Sequence, residues 1–321
     1  MAVYTDIDDE ELDRLLAQYD IGGAVSCKGI AEGVENSNFL LQTEKGAYIL
    51  TLYEKRVHEE DLPFFLGLLD HLAAAGFPCP TPIHGRDGKA LRRAAGRPAA
   101  ITSFLTGRSV RRPAPVHCGE LGTALAELHI KASGFPMRRD NSLGLTSWRP
   151  LLDSCAGEAD SLKPGLNAFL QAELDFLEEH WPQDLPAGII HADMFPDNVF
   201  FLRDKLCGVI DFYFACNDFL LYDLAICLNA WCFEADNAFN ITKARKLIRH
   251  YNRRRSLNDE EIAALPVLAR GSALRFLLTR LYDWLNQVEG ALVRPKDPLE
   301  YYQRLLFHRN AASARAYGWD E

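Results

Sequence analysis

Basic residues are in deficit: 35 lysines and arginines stand against 44 aspartates and glutamates, a formal net charge of -9. A chain so balanced has no whole-molecule attraction for nucleic acid or an anionic membrane, and neither partner is expected. The eight cysteines include no CxxC pair, and most sit in apolar runs. That argues against a zinc site or a disulfide framework, and for buried reduced thiols in a cytoplasmic protein. Long apolar runs are missing too. The longest, Phe219 to Phe233, is broken by Asp223 and Asn229, too short and too polar to span a bilayer. Met1 to Glu11 is acidic with no apolar stretch, so no signal peptide is expected there. No repeat or low-complexity tract interrupts the chain. What remains is the ordinary globular balance, 48% hydrophobic and 25% charged over 321 residues, enough for about two domains or one domain in two lobes.

The first third reads as helix followed by strands. Leu12, Leu15, Leu16 and Tyr19 recur at helical spacing. Phe39 to Gln42 and Ala47 to Tyr53 read as strands joined by the turn Thr43 to Gly46, and Pro98 to Leu105 reads as another. Leu62, Phe65, Leu66, Leu69 and Leu72 form one helical stripe, closed by Gly76 and the prolines at 78, 80 and 82. Strands with one inserted helix predict a small α+β lobe. The remainder is mostly helical, with candidates around Cys118 to His129, Phe169 to Leu177, Thr242 to Tyr251 and Ser272 to Val288. Arg253 to Arg255 reads as a solvated helix end. Three short β-type runs, Gly188 to His191, Asn198 to Leu202 and Leu206 to Asp211, interrupt the helices and carry acidic residues at their ends.

Those ends hold the chemistry. His191-x-Asp193 is followed by Asn198, and the apolar run Val209-Ile210 ends in Asp211. Phosphoryl transfer calls for this set: one carboxylate to orient or deprotonate an attacking hydroxyl, and a second carboxylate with an amide oxygen to hold Mg²⁺ on nucleotide phosphates. Taken singly, each acidic residue would be an ordinary solvated loop carboxylate; three in register point to a site. A binuclear-metal hydrolase would need more ligands than His129 and His191 add, and His129 reads as a core histidine at a helix end.

With Leu121-Gly-x-x-Leu125-Ala-x-Leu128-His129, Phe104-Leu-Thr-Gly107 and Asp223-Leu-Ala225, this pattern resembles the aminoglycoside phosphotransferase and choline kinase-like family over nearly the whole chain. The resemblance implies a two-lobed, protein-kinase-like α+β fold. Residues 1–106 would form a nucleotide-covering lobe with a small antiparallel sheet, and 107–321 a mainly helical catalytic and substrate lobe. It also implies Asp193 as catalytic base, Asn198 and Asp211 as Mg²⁺ ligands, His191 as support for the loop, and Asp223 as its brace. Longer stretches are similar to the bacterial homoserine kinases of that family: His191 to Phe201, Gly208 to Asp218, Asn229 to Phe233, Glu35 to Phe39, Tyr48 to Lys55 and Arg275 to Asp283. The implied reaction is ATP plus L-homoserine giving ADP plus O-phospho-L-homoserine, a step toward threonine.

By the same resemblance Gly29 to Asn38, with Gly29, Gly33, Ser37 and Asn38, would cover the phosphates through close backbone approach. Ile101 to Leu105 would be the hinge whose backbone meets adenine, with Ser103 and Leu105 as contacts. The chain departs from protein kinases at one pair: Thr51 stands at the strand-lysine position and Phe65 at that of its helix glutamate, so both partners are missing together. Lys55 and Arg56 are the cations nearby. An α-carboxylate on the acceptor calls for a cation, and Arg275 and Arg280 are the candidates. Arg275, Thr279 and Tyr282 share one helix face, and Tyr213 and Trp231 are candidate pocket walls. A kinase for another small hydroxylated molecule (choline, an aminoglycoside, a methylthio-sugar) stays open, although two late arginines suit a cationic aminoglycoside poorly. An inactive nucleotide-binding regulator also stays open, with the joint presence of Asp193, Asn198 and Asp211 against it.

Overall fold

The computed structural model describes residues 5–30, 36–54, 57–287 and 295–320. These divide into two compact units. The first comprises Met1–Gly107 with the returning segments Gly134–Arg139 and Cys207–Tyr213, and the second takes the rest.

In the first unit, helix α1 (Asp9–Leu16) precedes strands β1 (Ala24–Gly29), β2 (Ser37–Thr43) and β3 (Gly46–Leu52). Helix α2 (Leu62–Ala74) and strands β4 (Arg92–Ala94) and β5 (Arg97–Ser103) follow. The strands form one antiparallel sheet in the order β1-β2-β3-β5-β4. Period-two alternation sets its register: Leu50 pairs with Phe39 on one side and Ile101 on the other, so all three face the same way. Leu12, Leu15, Leu16 and Tyr19 of α1 and its following turn join the core on that face. A slip of one residue would turn this whole apolar set to water. The returning segments pack within this unit. Phe135 meets the Phe64 ring edge-on at 5.6 Å, Arg139 binds Asp61 at 2.8 Å, and the Val209 N–H donates to the Pro78 carbonyl at 2.8 Å.

The second unit contains helices α3 (Pro115–Lys131), α4 (Leu145–Cys155), α5 (Ala159–Leu162) and α6 (Leu166–His180), then strand β6 (Ala187–Ile190) and strand β7 (Val199–Leu202). A turn at Arg203 and Asp204, both at positive φ (49° and 61°), leads into β8 (Lys205–Val209), whose residues from Cys207 on belong to the first unit. Strand β9 (Cys216–Phe219) pairs antiparallel with β6, and helices α7 (Leu220–Trp231), α8 (Ile241–Arg254), α9 (Asp259–Leu285) and α10 (Pro298–Arg309) complete the unit.

Two glycines let these helices approach. A Cβ on Gly122 of α3 would lie 2.2 Å from the Leu247 carbonyl oxygen of α8. One on Gly271 of α9 would lie 2.2 Å from the Trp181 ring, with the Trp148 ring at 3.0 Å. Any side chain there would force the backbone or the aromatic pair apart.

Helix α9 is longer than the sequence pattern predicts. It starts at a reciprocal cap, Asn258 Oδ1 accepting from the Glu261 N–H at 2.8 Å and Glu261 Oε2 from the Asn258 N–H at 3.1 Å, and it runs on through Pro266. By length and hydropathy (1.4) it would be long and apolar enough to cross a membrane, a feature the sequence reading missed by looking to 219–233; 61% of that stretch is buried within the protein.

Beneath α9, Asn229 donates to the Ala225 and Ala269 carbonyls at 3.2 and 2.9 Å and accepts from His308 Nε2 at 3.0 Å. The other His308 nitrogen meets the Tyr317 hydroxyl at 2.9 Å. Burial, aided by the Arg304 charge, pushes the His308 pKa down to about 3.

Candidate active site

Strand β6 delivers the chain into residues 191–198, a loop whose polar backbone is held almost atom by atom. The two oxygens of Asp223, fully buried on α7, accept the His191 N–H at 2.7 Å and the Ala192 N–H at 2.9 Å. On the other side of Ala192, the Arg275 guanidinium of α9 donates to its carbonyl at 2.8 Å. The clamp answers a conformational cost: Ala192 sits at φ 62°, where a residue with a Cβ loses about 1–2 kcal/mol. The Asp193 N–H donates to His191 Nδ1 at 3.3 Å, and Trp231 Nε1 donates to the Met194 carbonyl at 2.7 Å. A short 3-10 turn, Pro196–Asn198, then brings Asn198 back. Its amide nitrogen donates to the Asp193 carbonyl at 2.9 Å and to Asp193 Oδ2 at 3.1 Å. The catalytic-base candidate is thus oriented by the metal-ligand candidate, whose Oδ1 is the hard-oxygen atom this geometry leaves for a cation.

Asp223 is itself braced from behind. His129 Nε2 lies 3.2 Å from its Oδ2, and His129 Nδ1 lies 2.8 Å from the Tyr251 hydroxyl. Arg255 donates to that hydroxyl at 3.2 Å and to Glu261 at 2.8 Å. Burial works to raise the Asp223 pKa, but the hydrogen bonds from His129 and the His191 N–H outweigh it, and the carboxyl lies below its ordinary value. It therefore serves the loop as a charged acceptor. One sequence expectation is borne out and one is corrected here. His129 is the buried core histidine expected at a helix end, and in that place it also braces Asp223. Arg255 is no solvated helix end, because its guanidinium is a link in the chain supporting Asp223.

Asp193 opens on a pocket of about 300 Å³ in the second unit. Its lining includes Arg275, Thr279, Tyr282 and Asp283 from α9, with Phe214 and Phe276. The predicted shared face of Arg275, Thr279 and Tyr282 is present. Arg275 is only 3% exposed and lies 4.3 Å from the Phe276 ring centre. Arg280 does not line the pocket. Five residues along a helix turn a side chain by about 140°, and its guanidinium instead donates to Glu300 at 2.6 Å. Trp231 is buried as a loop clamp. Tyr213 belongs to the first unit, edge-on to Tyr53 at 5.5 Å and to Phe65 at 5.7 Å.

Asp211, also of the first unit, lies just beyond β8 at φ 66°, a conformation aspartate tolerates better than most residues. In the sheet, Thr51 Oγ1 donates to Asn38 Oδ1 at 2.8 Å, so the residue in the strand-lysine position fixes Asn38. Ser37 is fully buried and donates to Glu54 at 2.8 Å, which ties the start of β2 to the end of β3. Gly29 ends β1 opposite Phe39. Ser103 closes β5, its hydroxyl accepting from the Thr81 N–H at 2.9 Å, and Leu105 follows beyond the strand. Gly33, Lys55 and Arg56 lie outside the described residues.

Comparison with known proteins places the chain in a family. The family model described as the phosphotransferase enzyme family matches residues 26–257. A homoserine kinase of Rhodospirillum rubrum is 62% identical over 318 residues, 99% of each chain, and one of Parvibaculum lavamentivorans is 62% identical over 320 residues, all of both chains. Among solved structures, an amicoumacin kinase in complex with AMP-PNP, Ca²⁺ and Ami has a TM-score of 0.70 at 14% identity, covering 95% of each chain. A choline kinase from Cryptosporidium parvum has a TM-score of 0.64 at 16% identity, covering 88% of each. At such identities the likeness is one of fold, the α+β kinase-like architecture expected from the sequence. Taken with the full-length relatives, it shows that the chain belongs to the phosphotransferase enzyme family.

Proposed function

We propose that this ATP-dependent phosphotransferase acts on the side-chain hydroxyl of L-homoserine in the cytoplasm, releasing ADP and O-phospho-L-homoserine for threonine synthesis. The observation that carries the reading is the pairing of Asp193 with the buried Arg275 guanidinium in one small pocket. Its volume lies at the low end of ligand sites, in keeping with a small amino acid rather than a multi-ring antibiotic. The relatives, matched end to end at 62%, support the same acceptor.

In this reading Asp193, aligned by Asn198, holds the acceptor hydroxyl in line with the terminal phosphate and takes its proton as transfer proceeds. His191 and Asp223 keep the loop in place. Asn198 Oδ1 and the Asp211 carboxylate would hold Mg²⁺, which supplies charge neutralisation on the phosphates when bound. Among the described residues no cluster of three or more His, Cys, Asp or Glu side chains is built for a metal, so phosphate and water oxygens would complete the shell. The first unit would contact the nucleotide through Gly29 and Asn38 at the phosphates, with Ser37 holding the strand start, and through the backbone around Ser103 to Leu105 at adenine. The second unit supplies catalysis and acceptor binding, with Arg275 on the α-carboxylate. Arg280, held by Glu300, takes no part in acceptor binding here.

An ADP-release assay with Mg²⁺ over L-homoserine, L-serine, L-threonine, choline and kanamycin tests the acceptor. Homoserine should give the highest kcat/KM. Faster turnover of choline or kanamycin would reject the assignment.

A further inference from the structure

Arg275 and Asp193 leave one charge of a zwitterionic acceptor unanswered. The α-ammonium would enter a pocket whose buried cation repels it, and a desolvated ammonium without a partner is costly. Asp193 cannot serve, because its carboxylate is committed to the hydroxyl. Asp218, held by Asn141 and the Phe219 N–H, does not line the pocket. The lining holds one more acid, Asp283, on the α9 stripe that also presents Arg275 and Thr279. Residues four and eight apart on a helix share a face, so one stripe carries the buried Arg275 cation and the exposed Asp283 carboxylate into the pocket lining.

We propose that Asp283 is the residue that recognises the acceptor's α-ammonium, so that α9 alone reads both charges of the amino acid while Asp193 handles the hydroxyl. The proposal rests on the homoserine reading. It assigns Asp283 to specificity, with no part in the chemical step. An acceptor with a hydroxyl and a carboxylate but no ammonium should gain nothing from Asp283. An amino alcohol with no carboxylate would leave Arg275 unpaired.

The test compares wild type with Asp283→Asn and Asp283→Glu, using L-homoserine and 4-hydroxybutanoate, which keeps the hydroxyl and carboxylate and lacks the ammonium. 4-Hydroxybutanoate is read as a substrate or, where turnover is slow, as a competitive inhibitor. Losing one charge-assisted contact at an exposed position should lower kcat/KM for homoserine about fivefold in Asp283→Asn, through KM, with kcat near wild type. Asp283→Glu should recover part of the loss. The constants for 4-hydroxybutanoate should stay as in wild type. An unchanged homoserine KM in Asp283→Asn, or equal losses for both compounds, overturns the proposal while leaving the homoserine reading intact. Failure of wild type to phosphorylate homoserine would overturn both.

Discussion

The sheet of the first unit and the loop at residues 191–198 in the second are both well ordered by contacts, but of different kinds. In the sheet, backbone pairs with backbone, and an apolar face supplies the free energy: Phe39, Leu41, Leu50, Leu52, Ala99 and Ile101 are nearly or fully buried. Each contact there is replaceable by another of similar shape. The loop pairs its backbone with side chains instead, and those come from helices distant in sequence: Asp223 from α7, Arg275 from α9, Trp231 from the end of α7. Each such side chain is irreplaceable, since removing it strands a buried polar group. Conservative apolar changes in the sheet should therefore cost little, whereas the loop is rigid because its support is specific.

The largest break in this contrast comes at Asp193. Asp193→Asn should fold with an unchanged melting temperature yet lose about 10²–10⁴-fold in kcat, the usual contribution of a positioned proton acceptor. Steady-state kinetics beside a thermal melt check it. Near-wild-type turnover would remove Asp193 from the chemistry.

Asp223→Ala should damage stability as well as rate. Two backbone N–H groups and His129 would lose their acceptor, and breaking such a buried charged network costs about 3–5 kcal/mol. Ile21→Val in the core beside the sheet should cost only about 0.5–1.5 kcal/mol and leave kcat alone. Denaturant titration of the two variants measures the difference. Equal losses would mean that the loop is no more specifically supported than the sheet.

The same contrast governs what can be read from sequence. Strands β2, β3 and β5, helix α2 and the ends of β6 to β8 are legible because apolar periodicity and turn residues are local signals. Asp193, Asn198 and Asp211 are legible as a spacing. The support is not. Nothing near Arg275 in sequence reveals that its guanidinium reaches the Ala192 carbonyl, and nothing near Arg255 and its helical neighbour Tyr251 points to His129 and Asp223. β1 and β4 were missed because their residues are partly exposed and carry little alternation. α4 and α10 were missed where prolines and aromatics break up the apolar stripe. The Asn258–Glu261 cap was a usable signal for the start of α9.

Arg275 sharpens the comparison because it touches both loop and pocket. A residue that only bound the acceptor would, on substitution, raise KM and spare kcat. Arg275 also holds the Ala192 carbonyl, so Arg275→Met should raise the homoserine KM and lower kcat together, each by about tenfold. Arg275→Lys, which keeps a charge and a single donor, should restore part of kcat while KM stays high, because a lysine lacks the fork that suits a carboxylate. A change in KM alone would mean that Asp223 suffices to hold the loop.

The smallest effect is one of pH, and it separates the two regions by their chemistry. Among the described residues the first unit contains no buried histidine, whereas the helices of the second contain His308, held neutral by burial with its pKa down to about 3. In the unfolded chain that ring titrates near 6.5. Between those values the unfolded state binds a proton that the folded state refuses, so stability falls as pH falls. The contribution is complete above about pH 6.5 and declines below it by up to about 1.4 kcal/mol per pH unit. The lowered Asp223 pKa acts in a separate and more acidic window: its stabilisation is present above the ordinary carboxylate range and is lost as pH drops through its folded value. Denaturant midpoints at pH 7.0, 6.0 and 5.0 should therefore fall more steeply for wild type than for His308→Gln, by about 1 kcal/mol per pH unit, whatever the variant loses at pH 7.0. Parallel slopes would show that His308 is not the group that titrates, and that Asn229 and Tyr317 hold an imidazole free to take up its proton in the fold.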